Sequence, residues 1–187
     1  MKNKIIIFSA PSGSGKSTVV HYLLKKYPEL EFSISATSRA PRGKEKNGKD
    51  YYFYSTRKFK ELISQKAFVE YEEVYEDSFY GTLRSELNRI WEKGHTIVFD
   101  IDVKGGKNLK KLFGNKALAV FVKTPSIEIL RQRLIDRGTD SKEAIETRIA
   151  KASEELTYEK SFDYVLVNDD LDKTLKEADD LIGSFLQ

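Results

Sequence analysis

Four stretches of the chain are nearly unbroken apolar, mostly β-branched runs: KIIIFSA (4–10), TIVFDID (96–102), ALAVFVKT (117–124) and DYVLVN (163–168). A strand without polar alternation has both faces covered, as in a buried parallel sheet. Between these runs lie amphipathic segments with helical periodicity, over roughly 15–27, 82–93, 104–113, 125–137, 141–158 and 171–186. The alternation predicts an α/β fold, a parallel sheet flanked by helices with right-handed crossovers.

One stretch breaks the rhythm. From Phe32 to Tyr80 the chain is rich in Ser, Arg, Lys, Gly and Tyr, with short strand-like pieces (FSISA, KDYYFYS, FVEYEEVY) and one helix-like piece, TRKFKELISQ. It reads as a small mixed-sheet lobe inserted between the first strand-helix unit and the rest of the sheet. A second irregular patch, RGTDSKEA (137–144), sets Asp140 three residues before Glu143, which predicts a helix restarting with Asp140 in a capping box. There is no internal repeat and no low-complexity tract.

Composition narrows the picture. At 187 residues, the chain suits one domain carrying small inserted lobes better than two independent domains. With 40% apolar and 33% charged residues, it is ordinary for a soluble protein. The balance of 32 basic against 29 acidic side chains, a net +3, argues against a nucleic-acid partner and for local anion binding. The absence of cysteine excludes disulfides and thiolate metal sites and fits a reducing compartment. MKNKIIIFSAP has only four consecutive apolar residues, too few for a signal peptide, and no segment has the length of a membrane span. The expectation is a cytoplasmic protein without a membrane partner; the pattern is equally compatible with a monomer and a homodimer.

The chemistry begins at APSGSGKS (10–17), between the first apolar run and the first helical segment. It matches the phosphate-binding loop G-x-x-x-x-G-K-[ST] except that Ala10 replaces the first glycine. Such a loop turns backbone N–H groups and the positive end of a helix dipole toward an anion. Ala10, Pro11, Ser12, Gly13, Ser14, Gly15, Lys16, Ser17 and Thr18 are therefore candidates for holding a nucleoside triphosphate. Gly13 and Gly15 allow close backbone approach, Lys16 can reach the β- and γ-phosphates, and Ser17 or Thr18 can hold Mg²⁺. Ala10 lies at the strand exit, where a methyl group intrudes little. In TIVFDID the strand ends at Asp100, with Asp102 on the same side by period-two alternation. Asp100 stands where a second Mg²⁺ anchor belongs, the alternative being a solvated strand end.

Within the inserted stretch, SISATSRAPRGKEKNGKDYYF (33–53) sets Arg39 and Arg42 three residues apart, followed by tyrosines. Paired guanidinium forks suit a phosphate monoester, and Tyr51 can add a hydroxyl. Surface arginines and packing tyrosines are the plainer explanation; Tyr52 and Tyr54, on one strand face, are expected to pack.

Taken together, SAPSGSGKST, SISATSRAPRGKEKNGKDYYF, FVEYEEV, YGT, FDID, RGTDS and DYVLVND resemble the guanylate kinases, in order and over nearly the whole chain. Bacterial members of that family also carry alanine at the first loop position. The resemblance implies a phosphate-loop NTPase core with a GMP-binding lobe and a small helical lid. Within a single domain of 1–187, the core would cover about 1–31, 83–136 and 159–187, the lobe about 32–82 and the lid about 137–158. It also implies that Ser35, Arg39, Arg42, Tyr51 and Tyr80 bind the GMP phosphate, and that Glu70, Thr82 and an aspartate of FDID, Asp102, read guanine. Arg137 and Arg148 would clamp the transferring phosphoryl group with Lys16 and Arg39, and Asn168 would touch adenine. A carboxylate can accept from both N1–H and the exocyclic amine of guanine, a pair adenine lacks.

The implied reaction is ATP + GMP → ADP + GDP with Mg²⁺, and dGMP as a further acceptor. The acceptor phosphate, with a second pKa of about 6, needs no general base. That suits a chain whose two histidines, His21 and His95, read as helix-surface and turn residues. Arg131 and Arg133 are expected to form salt bridges with nearby acids. The competing readings are a non-catalytic guanylate-kinase-like interaction module, opposed by the intact loop, and a phosphate-loop kinase for another acceptor, opposed by Glu70.

Overall fold

The first apolar run folds as β1 (Ile5–Ser9), buried at every position. The chain continues through α1 (Lys16–Lys26), β2 (Leu30–Phe32), β3 (Ala36–Thr37), β4 (Tyr52–Phe53), α2 (Thr56–Ser64), β5 (Phe68–Tyr75), β6 (Ser78–Leu83) and α3 (Arg84–Glu92). It then runs through β7 (Thr96–Asp100), α4 (Val103–Phe113), β8 (Ala117–Lys123), α5 (Ile127–Arg137), α6 (Lys142–Leu156), β9 (Tyr164–Val167) and α7 (Leu171–Leu186). This computed structural model describes residues 3–138 and 140–187; Met1, Lys2 and Thr139 of the RGTDS motif lie outside the described residues.

Five parallel strands form the first sheet, in the order β2-β7-β1-β8-β9. Successive side chains on a strand point to opposite faces, and here both faces are covered. Ile6, Phe8, Val98 and Val120 pack against Val19 and Leu23 of α1 and Ile182 of α7. Ile5, Ile7, Ile97 and Phe99 pack on the other side against Leu87 and Ile90 of α3 and Leu109 of α4. Two-sided burial is the physical reason for the unalternating apolar runs. Helix α4 lies flush on β1, because a Cβ at Gly106 would sit 2.4 Å from Ser9 Oγ. Ser9 Oγ also donates to the Asp102 carbonyl at 3.2 Å, which brings the start of α4 beside the loop that follows β1.

A second, mixed sheet has the order β4-β3-β6-β5, with β3 parallel to β4 and antiparallel to β6. Phe59 of α2 stacks on Phe68 with 4.4 Å between ring centroids and on Phe79 at 5.5 Å, making a small separate core. Tyr52 and Tyr54 pack against that core, as expected of them.

Three local expectations need correction. FSISA reads as one strand, but Phe32 closes β2 in the first sheet and Ala36 opens β3 in the second. The switch is made by hydrogen bonds that alternation cannot reveal: Ser33 N still donates to the Val98 carbonyl at 2.9 Å, while Ile34 N turns to Glu86. KDYYFYS supplies only Tyr52 and Phe53 as strand, since its first residues turn around Gly48 at φ +74°. Finally, α6 is capped by Ser141, whose Oγ accepts from Ala144 N at 3.2 Å, and not by Asp140. Asp140 accepts instead from the guanidinium groups of Arg137 and Arg148, stronger donors than a backbone amide.

Candidate active site

The loop between β1 and α1 owes its shape to two glycines in the left-handed region, Gly13 at φ +96° and Gly15 at φ +86°. Both are also pressed by neighbours. A Cβ at Gly13 would come within 2.9 Å of Leu134 on α5, and one at Gly15 within 2.1 Å of the Asn168 amide nitrogen. Ala10, buried at the strand exit, fits without glycine's freedom. The N–H groups of Gly13, Gly15, Lys16 and Ser17 have no acceptor among the described residues. With the dipole of α1 behind them, they form an anion-binding concavity.

That concavity opens into a cleft of about 810 Å³, walled by residues 10–18, by Asp100 at the end of β7 and Asp102 just beyond it, and by Arg133, Arg137 and Arg148 from α5 and α6. Lys16 Nζ is ion-paired with Asp100 inside it. Burial pulls the Lys16 ammonium down to about 8, against the opposing pull of the Asp102 and Glu155 carboxylates. Arg148 donates to Ser12 Oγ at 2.5 Å and to Asp140 at 3.2 Å, so one guanidinium spans the loop and α6. Arg137 pairs with Asp140 at 2.7 Å.

Of the oxygen-bearing side chains on the cleft wall, the Ser17 hydroxyl in the first turn of α1 and the Asp100 carboxylate are the two that could hold a hard cation beside the loop. Among the described residues no group of three or more His, Cys, Asp or Glu side chains could enclose a metal unaided. One carboxylate and one hydroxyl suit Mg²⁺, which completes its shell with water and phosphate oxygens.

On the second sheet, Arg39 is the centre of a polar cluster. Its Nη1 and Nη2 meet the two oxygens of Glu45 at 2.6 and 2.8 Å, its Nε donates to Tyr80 Oη at 3.0 Å, and its guanidinium lies 4.8 Å from the Tyr51 ring centroid. Arg42 gives its backbone N–H to Glu45 at 2.7 Å, while its exposed side chain makes no hydrogen bond to a described residue. Ser35 is half-buried, and its carbonyl accepts from Tyr52 N at 2.9 Å. Two residues beyond Tyr80 on the same strand, Thr82 Oγ1 donates to Glu70 Oε1 at 2.7 Å. Burial, with repulsion from Asp102 and Glu72, pushes the Glu70 carboxyl up to about 7, although the Thr82 bond works the other way. Asp102 caps α4 by accepting from Lys104 N at 2.8 Å and Gly105 N at 3.0 Å.

The candidate residues thus fall into two groups, the loop cleft and the Arg39–Glu70 face, with Asp102 electrostatically linked to both Lys16 and Glu70. Asn168 stands outside the cleft wall: it is 5% exposed, and its Nδ2 donates to the Ser14 carbonyl at 2.8 Å, bracing the loop from behind. Arg131 pairs with Glu146 as expected. Arg133 pairs with no acid among the described residues; it lines the cleft and donates to the Asp169 carbonyl at 3.2 Å, because α5 turns it toward the β9–α7 junction. His21 is exposed on α1, whereas His95 contacts Glu31 at 2.8 Å. Sequence reasoning passed over Glu45, although its place three residues after Arg42 in a basic stretch was a signal for an internal counter-ion.

Comparison with known proteins identifies the family. The guanylate kinase family model matches residues 2–184. The chain is 54% identical over 186 residues to a guanylate kinase of Bacteroides thetaiotaomicron, covering 100% of this chain and 91% of that protein. It is 52% identical over 184 residues to one from Porphyromonas gingivalis, covering 98% of each. The crystal structure of guanylate kinase from Anaplasma phagocytophilum superposes with a TM-score of 0.76 at 30% identity, covering 98% of this chain and 86% of that one. With a family match across almost its whole length and relatives sharing more than half its residues, the chain belongs to the guanylate kinase family.

Proposed function

We propose that this protein is an ATP:GMP phosphotransferase, moving the γ-phosphoryl group of ATP to GMP, and to dGMP, to give ADP and the nucleoside diphosphate. The observation that carries the reading is the pairing of two anion sites of different chemistry. One is a loop beside Lys16 whose N–H groups meet no acceptor among the described residues, and the other is an arginine-tyrosine cluster adjoining the Glu70–Thr82 pair.

In this reading, residues 10–18 take the triphosphate, with Lys16 against its outer phosphates. Ser17 and Asp100 would hold Mg²⁺, whose charge would neutralise the phosphate oxygens when bound. Arg39, Arg42, Tyr51, Tyr80 and Ser35 take the acceptor phosphate. Arg39 already forms a bidentate pair with the carboxylate of Glu45, the geometry with which a guanidinium also grips a phosphate. Arg42 has a side chain with no hydrogen bond to a described residue to give up. Glu70, steadied by Thr82 and aided by Asp102, takes the guanine edge.

An acceptor oxygen that is already anionic needs no base, so Lys16, Arg137 and Arg148 act by aligning the reactants and offsetting the charge that spreads over the phosphoryl oxygens. Residues 32–82 form the acceptor lobe and 137–158 the lid over ATP. Among the described residues no helix is long and apolar enough to cross a membrane, and the cytoplasm is the compartment proposed for the reaction.

A coupled assay of ADP release, run with GMP, dGMP, AMP, UMP and TMP, tests the proposal. GMP and dGMP are expected to be the productive acceptors. Comparable rates with AMP, or no Mg²⁺-dependent release with GMP, overturn it.

A further inference from the structure

Glu86 lies outside both anion sites, yet it is only 2% exposed and accepts four hydrogen bonds. It is the third residue of α3, the position from which a glutamate ordinarily reaches back to its own helix cap. Here it reaches across to other elements. Oε1 accepts from Ile34 N at 2.9 Å and Arg89 Nη2 at 2.8 Å; Oε2 accepts from Tyr52 Oη at 2.9 Å and Arg89 Nε at 2.9 Å. Burial works against the anion, but the donors from Arg89, the Ile34 amide and Tyr52 outweigh it and keep the carboxyl below its ordinary range. Arg89 is paired in turn with Glu31 on β2, which also takes Lys93 at 2.9 Å and His95 at 2.8 Å. The carboxylate is therefore rooted in the first sheet and its helices.

Of its two other donors, Tyr52 belongs to the second sheet and Ile34 to the segment that leads into it. The chain leaves the first sheet through residues 33–35 and returns where β6 runs into α3. Ile34 sits between Ser33, whose N–H is still on Val98 of the first sheet, and Ser35, whose carbonyl is bonded to Tyr52 of the second. Glu86 thus holds the backbone N–H of the residue before Ser35 and the side-chain hydroxyl of the residue after Tyr51, whose ring lies against Arg39.

We propose that Glu86 is a positioning residue for the acceptor: it ties the Ile34 backbone just before Ser35, and through the Tyr52 hydroxyl the strand that follows Tyr51, to the first sheet, and so sets where the acceptor phosphate rests relative to the triphosphate loop. The inference rests on reading the second sheet as the GMP site. Losing the carboxylate strands a buried N–H, a hydroxyl and a guanidinium at once, and a shift of about 1 Å in a positioning shell is costly to rate.

The test is steady-state kinetics of Glu86→Gln and Tyr52→Phe with GMP and ATP varied in turn, joined to calorimetric Kd values for each nucleotide. Glu86→Gln is expected to raise KM and Kd for GMP about tenfold, and Tyr52→Phe about threefold, with the ATP values moving less than about twofold. A purely structural role would instead lower the fraction of active protein, and so kcat, without singling out GMP. GMP constants unmoved in both variants, or raised equally with those for ATP, overturn the inference. Should Glu86→Gln fail to fold, Tyr52→Phe decides alone. Absence of GMP turnover in the unaltered protein overturns the functional reading and this inference with it, whereas normal turnover with unmoved variants overturns this inference only.

Discussion

Thr82 Oγ1 donates a 2.7 Å hydrogen bond to Glu70 Oε1 between directly paired residues of β6 and β5. That bond is the main local support for a carboxylate that burial, with Asp102 and Glu72 beside it, has pushed up to about 7. Near neutral pH the side chain is divided between an acid, which cannot accept from both guanine donors, and an anion, which can.

GMP affinity is therefore expected to rise between pH 6 and 8. The acceptor phosphate itself titrates at about 6, so the diagnostic quantity is the difference between the unaltered protein and Glu70→Gln, whose profile should lack the step near 7. The same shift has a stability counterpart. Since the folded value lies above the ordinary 4.5, the stability contributed by this group is complete below about 4.5 and is lost as pH rises through about 7. Calorimetric titrations of GMP at three pH values check the first claim, and superimposable profiles for the two proteins would refute it.

Lys16 sits lower than a solvated lysine, at about 8, because it is buried beside the loop. In the ligand-free protein it loses its proton above that pH, and kcat/KM for ATP, which reports the free enzyme, should decline there. Lys16→Ala should reduce kcat about 10²- to 10³-fold with the thermal transition retained. Turnover within a few-fold of normal in that variant removes Lys16 from the chemistry.

Gly15 carries two constraints at once, φ +86° and an Asn168 amide where its Cβ would stand. Gly15→Ala should cost about 1–3 kcal/mol in stability and weaken ATP binding, while GMP binding is spared. Asn168→Ala, which frees the Ser14 carbonyl, should act in the same direction more mildly. Thermal melts and separate calorimetry for each nucleotide distinguish this local damage from general unfolding.

Asp100 serves both Lys16 and the proposed cation. Asp100→Asn should raise the Mg²⁺ concentration for half-maximal turnover about tenfold, and a chelator should abolish turnover in both proteins. A magnesium titration that superposes on the unaltered protein's assigns the metal elsewhere.

Much of the first sheet could be read from the chain because its physics is local: strands covered on both faces must be apolar at every position, as Ile5–Phe8 and Ala119–Val122 are. The phosphate loop was equally legible, since Gly13, Gly15 and Lys16 are contiguous. The second sheet was harder. Its strands are short, and β3 and β6 depend on partners more than 40 residues apart, as in the pairing of Ala36 with Gly81. A side-chain tie such as Glu86–Ile34 was illegible for a related reason: an acid gives no sign of which distant donor it will meet. The cap of α6 shows the same limit at short range, since Asp140 and Ser141 are both good caps and only the nearby guanidinium groups decide between them.

The stretch from Ala36 to Leu83 is joined to the remainder by just two covalent crossings, one on either side of Glu86's reach. Such wiring makes it an exchangeable cassette: selection can rework which base is admitted there without disturbing the grip on the donor. A transplant from a relative would inherit its own acceptor preference, but it would sit true only if it also brought a hydroxyl to meet the waiting carboxylate.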